Sequence, residues 1–421
     1  MLNILRFYIP LEQELFKYND DFYVYPILKP LLIKIYKLKE TLENDKISLD
    51  LNLVVDDFNK DFFESFFKKI LKNINIITYN QINSLDQREG YFFLLPGNTP
   101  LLSYNISILV DFIKDHSKQI FSAWDENLDL SNFSFIFKTK NWEILKKILI
   151  NRIFNLKDLL DFINGNKLNE NYIIKKEELI DKKFSNYFLR INNLKDIELI
   201  FEKSKEIVKE IYKEVVFLGN NIFICPLSYI NKENLILDNV MIIDSSIEGR
   251  LNRIGPNSFI FDSKIGNKNV IFNSVVKGNM VMDENKIGPF SHLRENNEIG
   301  KNNEIGAFVE LKNTKMNSKV KSRHLAYLGD AVLNENVNIG AGVVLANYDG
   351  INKYQTIIES NVFIGSNATI IAPRTIASNA YIGAGSVVTK DVESNTVVIG
   401  NPAKFYTTTE QLKNKKNNLK K

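Results

Sequence analysis

Ile-Gly pairs recur through the second half of this chain, at Ile254, Ile265, Ile287, Ile299, Ile305, Ile339, Ile364, Ile382 and Ile399. The interval from 299 to 305 is six residues, from 287 to 299 twelve, and from 364 to 382 eighteen. Few folds satisfy a six-residue period of apolar-Gly-x-x-small-x. It is the signature of a parallel β-helix, in which three hexads make one triangular turn. The apolar residue of each short strand points inward and small residues fit the corners. Other intervals slip by one or two residues, as loops between coils would cause. A Gly-rich antiparallel sandwich does not keep such a phase. The period therefore puts Ile254, Ile265, Ile287, Ile299, Ile305, Ile364 and Ile382 inside a prism.

Glycine usage divides the chain. Of 19 glycines, only Gly90, Gly97 and Gly165 precede residue 200. Glycine tolerates φ > 0, so a glycine-punctuated segment is one that turns repeatedly. The first half instead reads as mixed α/β. YFFLLPGNTPLL (91–102) is a buried-strand pattern ending in a turn, and residues 61–74 and 141–154 carry helical apolar spacing. Residues 194–214 form the clearest helical pattern, rich in Lys and Glu and without Gly or Pro. The expected organisation is an α/β domain over 1–193, a connecting helix over 194–214, a β-helix over 215–403 and a solvated basic tail over 404–421.

Composition excludes several classes. The apolar fraction of 44% and charged fraction of 25% are those of a soluble globular protein. A net charge of +4 is too small to argue for nucleic acid. The single cysteine, Cys225, forbids an intrachain disulfide and fits a reducing compartment. No apolar run reaches the ~18 residues that span a bilayer, and the N-terminus is unlike a signal peptide. The expected location is the cytoplasm, with no membrane insertion. His324 is one of only three histidines. A lone histidine is more often a structural hydrogen-bonding residue than a catalyst, so its neighbours must decide its role.

Those neighbours carry a resemblance. IGPFSHLR (287–294), GAFVELKN (306–313), HLAYLGDA (324–331), NVNIGAG (336–342), NYDGINKYQT (347–356), VFIGSNATIIAP (362–373) and YIGAGSVVTKDV (381–392) occur in this order. Together they resemble the acetyltransferase domain of the bifunctional bacterial glucosamine-1-phosphate N-acetyltransferase / N-acetylglucosamine-1-phosphate uridyltransferase family. The resemblance implies a left-handed parallel β-helix and acetyl-CoA as co-substrate. It implies N-acetylation of glucosamine-1-phosphate on the route to UDP-N-acetylglucosamine and peptidoglycan, and a homotrimer with its sites between subunits.

The resemblance also assigns roles. By the resemblance His324 is the general base that takes a proton from the sugar amine, a role suited to an imidazole, and Glu310 orients its ring. Arg294, Lys312 and Lys353 match the sugar-phosphate ligands, where several cations suit a doubly charged group. Tyr327 and Asn338 match hydrogen-bonding positions for sugar and phosphate. Ala341, Asn347, Tyr348, Ser366 and Ala384 match the coenzyme positions, the two alanines being small where a thin pantetheine arm passes. Departures exist: Glu295 stands where Pro is common, Gln355 replaces a Lys, and IGNPAK (399–404) lacks an Arg of the family near residue 401.

The first half resembles the family's uridyltransferase domain only in fragments. LLPGNTPLL (94–102) has Asn98 where the family has a Mg²⁺-binding Asp, and RINNLKD (190–196) has Asn192 at a second ligand position. No glycine occurs before residue 90, so the phosphate-cradling Gly-rich loop has no counterpart. The expectation is an α/β architecture, Rossmann-like in its sheet, that has lost nucleotidyl transfer and has no metal site; Mg²⁺ would enter only if this half were active. Two rivals remain open: a uridyltransferase, alone or alongside, and a catalytically silent sugar-nucleotide-binding scaffold.

Overall fold

The computed structural model describes residues 3–10, 33–35, 37, 47–57, 60–61, 64, 74–85, 91–95, 120–121, 135–166 and 194–418. The chain divides into two compact units between Ile207 and Val208. That division falls within the helix Leu194–Ile211, the segment expected to be helical over 194–214.

The first unit carries a six-stranded sheet of β1 (Asn3–Pro10), β2 (Ile47–Val55), β3 (Ile74–Thr78), β4 (Tyr91–Leu94), β5 (Ile120–Phe121) and β6 (Ile136–Thr139), in the order β3-β2-β1-β4-β6-β5. The first four run parallel, and β6 is antiparallel to both β4 and β5. Its core is aromatic: Phe92 and Trp142 are buried with ring centroids 5.2 Å apart. Helix Trp142–Ile150 lies within the expected 141–154 and is started by Asn141. The Asn141 Oδ1 accepts from the Glu143 and Ile144 N–H groups at 3.1 and 3.3 Å, two donors that the first turn leaves unpaired. Of the helix expected over 61–74, residues 61 and 64 are helical and Ile74 already begins β3. Asn98, Asn192 and the rest of the 96–102 turn lie outside the described residues.

The second unit is a left-handed β-helix, its 27 short strands joined in one sheet that coils on itself. Each coil pairs in parallel with the next. On one face Ile254, Ile271, Ile287 and Ile305 stack inward, 17, 16 and 18 residues apart. All seven isoleucines expected inside are buried. The slips in period are corner deletions, with one insertion: Ile339 pairs with Ile364, 25 residues on, so this coil has seven residues more than a regular eighteen. The Ile-Gly pair at Ile399 is out of phase. Val398 takes the inward place above Ile382, and Ile399 is 40% exposed.

The corners are built from asparagine as much as from glycine. Left-handed backbone recurs at Asn239, Asn257, Asn273, Asn336, Asn361, Asn379 and Asn395, the residue type besides Gly that enters this region most readily. A second asparagine set lies inside the prism. Asn252 N–H donates to Asn234 Oδ1, Asn269 to Asn252, Asn285 to Asn269 and Asn303 to Asn285, at 2.7–2.9 Å. This ladder satisfies buried corner amides that no strand can reach.

Part of the basic tail expected over 404–421 takes up regular structure beside the last coil, while most of its described side chains stay exposed. Lys404–Thr408 pairs antiparallel with Thr396–Ile399, and the helix Thr409–Asn418 follows. The tail's basic composition concealed the β-rich KFYTT.

Candidate active site

Two long strands, Glu304–Met316 and Lys321–Leu333, run round successive corners without losing register. They carry four of the expected site residues, Glu310, Lys312, His324 and Tyr327. His324 pairs with Ala307 and sits just before the corner residue Leu325. Its imidazole makes no hydrogen bond among the described residues. Above it, Ala341, Ser366 and Ala384 follow at 17, 25 and 18 residues, the spacing of the inward column. Corner hydrogen bonds confirm this stacking: Gly342 N–H to Leu325 O at 2.6 Å, Asn367 N–H to Ala341 O at 2.7 Å, and Gly385 N–H to Ser366 O at 2.8 Å. His324 thus stands at the foot of a track of small residues. Glycine keeps the rungs close: a Cβ on Gly340 would lie 2.6 Å from Ser366 N, and one on Gly365 would lie 2.5 Å from Ala384 N.

On the next face, Glu310 pairs with Tyr327 and Lys312 with Gly329. The bare Gly329 leaves room for its neighbours, since a Cβ there would meet the Tyr327 hydroxyl at 2.5 Å and the Asn347 amide at 2.8 Å and displace one of these side chains. Arg294 enters from the coil below and donates to Glu310 at 3.1 Å. Lys353 enters from the insertion. Its ammonium, and then the Arg294 guanidinium, hold the Lys312 pKa below the usual lysine range. Three cations converge here against two carboxylates, Glu310 on Arg294 and Asp330 near Lys312, which leaves the cluster short of negative charge.

The insertion is braced by carboxylates that the sequence motifs contain but that had no assigned role. Asp349 accepts from the Asn352 and Ile351 N–H groups and from the Tyr354 hydroxyl, at 2.7, 2.8 and 2.9 Å. These donors hold its carboxyl below the ordinary range. Tyr348 and Lys353 form a bridge across the loop, and the Tyr348 hydroxyl donates to Gly350 O at 2.6 Å. Asn347 is buried and gives its amide to Asp330 at 2.5 Å, while Asn313 gives its own to the other oxygen at 2.6 Å. Asp330 therefore ties the strand below to the insertion above.

Two expected groupings are not made within the chain: Asn338 with the cations, and Glu310 with His324. Asn338 lies on the preceding face, between Lys321 and Phe363. Glu310 is engaged with Arg294, and His324 is three residues from its register partner Tyr327, roughly 10 Å along an extended strand. Cys225 plays no part: burial, then the Asp244 carboxylate, push its thiol pKa up to about 12. Among the described residues no cluster of three or more His, Cys, Asp or Glu could hold a metal ion, and no helix is long and apolar enough to cross a membrane.

Comparison with known proteins adds a family. The model of the bacterial transferase hexapeptide (six repeats) matches residues 355–390. The bifunctional protein GlmU of Caldicellulosiruptor saccharolyticus is 40% identical over 206 residues, which cover 48% of this chain and 44% of that protein. The bifunctional protein GlmU of Acetivibrio thermocellus is 31% identical over 355 residues, covering 75% of this chain and 76% of that protein. The first match spans less than half of its relative's length; the second reaches well into the first unit. The solved structure of PerB from Caulobacter crescentus, in complex with CoA and GDP-perosamine, covers 31% of this chain and 70% of its own at 18% identity, with a TM-score of 0.26 that carries no argument.

Proposed function

This chain belongs to the GlmU family of bifunctional proteins, and on that premise we propose that its second unit transfers the acetyl group of acetyl-CoA to the amine of glucosamine-1-phosphate, toward UDP-N-acetylglucosamine and peptidoglycan. The observation that carries this reading is the cation cluster. Arg294, Lys312 and Lys353 crowd until Lys312 gives up its proton more readily, an arrangement that a dianionic phosphate would relieve.

In the proposed reaction the phosphate is held by this trio, and Tyr327 and Asn338 hydrogen-bond the sugar. His324 takes a proton from the amine as its nitrogen attacks the thioester carbonyl carbon. The C–S bond breaks as the tetrahedral intermediate collapses, and the thiol of coenzyme A leaves. The pantetheine arm lies along Ala341, Ser366 and Ala384, with Asn347 and Tyr348 of the insertion beside it. Glu310 braces Arg294 within one chain; orienting an imidazole would take His324 of a neighbouring copy, in keeping with the proposed homotrimer. The proposed compartment is the cytoplasm.

For the first unit, the expected 1–193, we propose that uridyl transfer is lost. Asn98 offers a neutral amide where the family has a carboxylate, and the remaining amide of Asn192 alone is a weak donor for Mg²⁺, so the donor set does not fit the ion. Incubating the purified protein separately with the substrates of each half-reaction tests both statements. N-acetylglucosamine-1-phosphate should form from acetyl-CoA and glucosamine-1-phosphate. Formation of UDP-N-acetylglucosamine from UTP, dependent on Mg²⁺ and abolished by a substitution in the first unit, would overturn the second statement.

A further inference from the structure

The track of small residues is bordered on its strand side by a column of glycine. In register from coil to coil, that column reads Gly288, Gly306, Arg323, Gly340, Gly365 and Gly383, each following an inward-facing residue of the ladder. Arg323 alone in this stretch carries a side chain, and it stands beside His324. Above it the floor of the track is bare, with Gly340-Ala341, Gly365-Ser366 and Gly383-Ala384. Below it the floor is bare again, with Gly306-Ala307 and then Gly288-Pro289. Arg323, His324 and Leu325 cross the track between them as a sill, all three exposed.

The Arg323 guanidinium is held from below. Its Nε donates to the Glu304 carboxylate on the preceding coil, two residues before Gly306. The contact keeps the Glu304 carboxyl below the usual carboxylate range. It also draws the Arg323 side chain down, away from the upper track and toward the strip of Gly306. Stability does not account for this break in the glycine column, because an exposed ion pair adds little. A coenzyme phosphate does not account for it either. The pantetheine arm carries the phosphates to the far, upper end of the track, and Glu304 already engages the guanidinium. What the pair does is place charge where the floor would otherwise be the bare carbon of Gly306, Ala307 and Pro289.

Resting on the acetyl-CoA reading above, we propose that Arg323, fixed by Glu304, is a specificity-determining residue that limits the transferred acyl group to acetyl. The arm descends the track to His324, so carbons beyond the thioester carbonyl point toward the coil beneath. Coils lie about 4.8 Å apart. A butyryl group reaches the lower coil, and an acetyl group ends short of it. At that level the alkyl carbons meet the ion pair and strip water from it with no hydrogen bond in return. Without the pair, the same carbons would rest on Gly306 and Ala307.

The test is kcat/KM for acetyl-CoA and for butyryl-CoA, with glucosamine-1-phosphate as acceptor, in the full chain, Arg323→Ala and Glu304→Ala. The wild type should favour acetyl-CoA by at least about 100-fold, since each misplaced methylene is worth about tenfold or more. In Arg323→Ala that ratio should narrow by at least about tenfold, and Glu304→Ala, which releases the guanidinium, should move it in the same direction. A merely structural role would slow both donors alike and keep the ratio. An unchanged ratio in Arg323→Ala, or a wild type that takes both donors equally, overturns the proposal. If the wild type transfers neither group, the reading of the catalytic site fails, and calorimetric titration with the two thioesters decides this one. Butyryl-CoA should then bind the wild type about tenfold more weakly than acetyl-CoA, with the gap closed in Arg323→Ala; equal binding of both thioesters to the wild type overturns it.

Discussion

His324 and the lysines around it make different demands on experiment. His324→Ala should lower the turnover of acetyl transfer by about 10²–10⁴-fold, the range for losing a general base, with coenzyme binding retained. Near-normal turnover at neutral pH would reduce His324 to a structural residue. Lys353→Met probes the cation cluster through pH. The folded-state pKa of Lys312 is lowered, chiefly by Lys353, so its charge is lost earlier as pH rises, and affinity for glucosamine-1-phosphate should fall through that window. In the variant the Lys312 step should move to higher pH, while the KM for the sugar phosphate at neutral pH rises about tenfold. The same sign applies to folding. A lysine with a depressed pKa opposes folding while charged, so removing Lys353 should not lower the melting temperature of the free protein. A lower melting temperature, or an unmoved pH profile, would contradict the assignment. His324, Lys312 and Asn347 are legible in sequence because their motifs are contiguous. Asp330 is not, because its partner Asn347 arrives 17 residues later, and only coil closure puts the two amides of Asn313 and Asn347 on one carboxylate. Asp349 is hidden for a different reason. Its work is done on its own loop's N–H groups, which leave no trace in residue type.

At the scale of elements, the six-residue phase made the coil and its inward isoleucines legible, because hydrophobic period maps directly onto facing. The inner asparagine ladder was not legible. In a chain full of asparagine, Asn234, Asn252, Asn269, Asn285 and Asn303 look like solvated corners, yet all are buried. The ladder is open to a single test. Asn269 accepts from the Asn285 N–H at 2.9 Å and from its side-chain amide at 3.1 Å, and donates to Met282 O at 2.7 Å. Asn269→Ala would leave the buried Asn285 N–H and Met282 carbonyl without these partners. At about 1–3 kcal/mol per orphaned group, the expected loss is roughly 3 kcal/mol, read from urea or thermal unfolding. A loss below about 1 kcal/mol would mean that water enters the corner and the ladder is dispensable.

At the scale of the molecule, one corner column carries a run of three exposed apolar residues in left-handed backbone. Its left-handed positions are Asn239, Asn257 and Asn273, then Phe290, Phe308 and Leu325, then Gly342 and Asn367. The three apolar residues are 56%, 63% and 60% exposed, and the two phenyl rings stack at 5.6 Å. An L-residue other than Gly, Asn or Asp in this region costs about 1–2 kcal/mol, and exposing large side chains adds a hydration cost. An isolated prism gains nothing from placing bulky side chains there, since asparagine serves the same corner lower down. The proposed trimer supplies a reason: copies of this chain would bury the stripe. Phe308→Asn should therefore relax the backbone while removing the contact. The wild type should sediment as a trimer at micromolar concentration. The variant should shift toward monomer by at least about tenfold in dissociation constant, lose acetyl transfer in proportion, and unfold in urea with no loss of stability in its monomeric form. A wild type that sediments as a single monomeric species, or a Phe308→Asn variant that stays trimeric and active, would leave the exposed stripe without a partner in this chain.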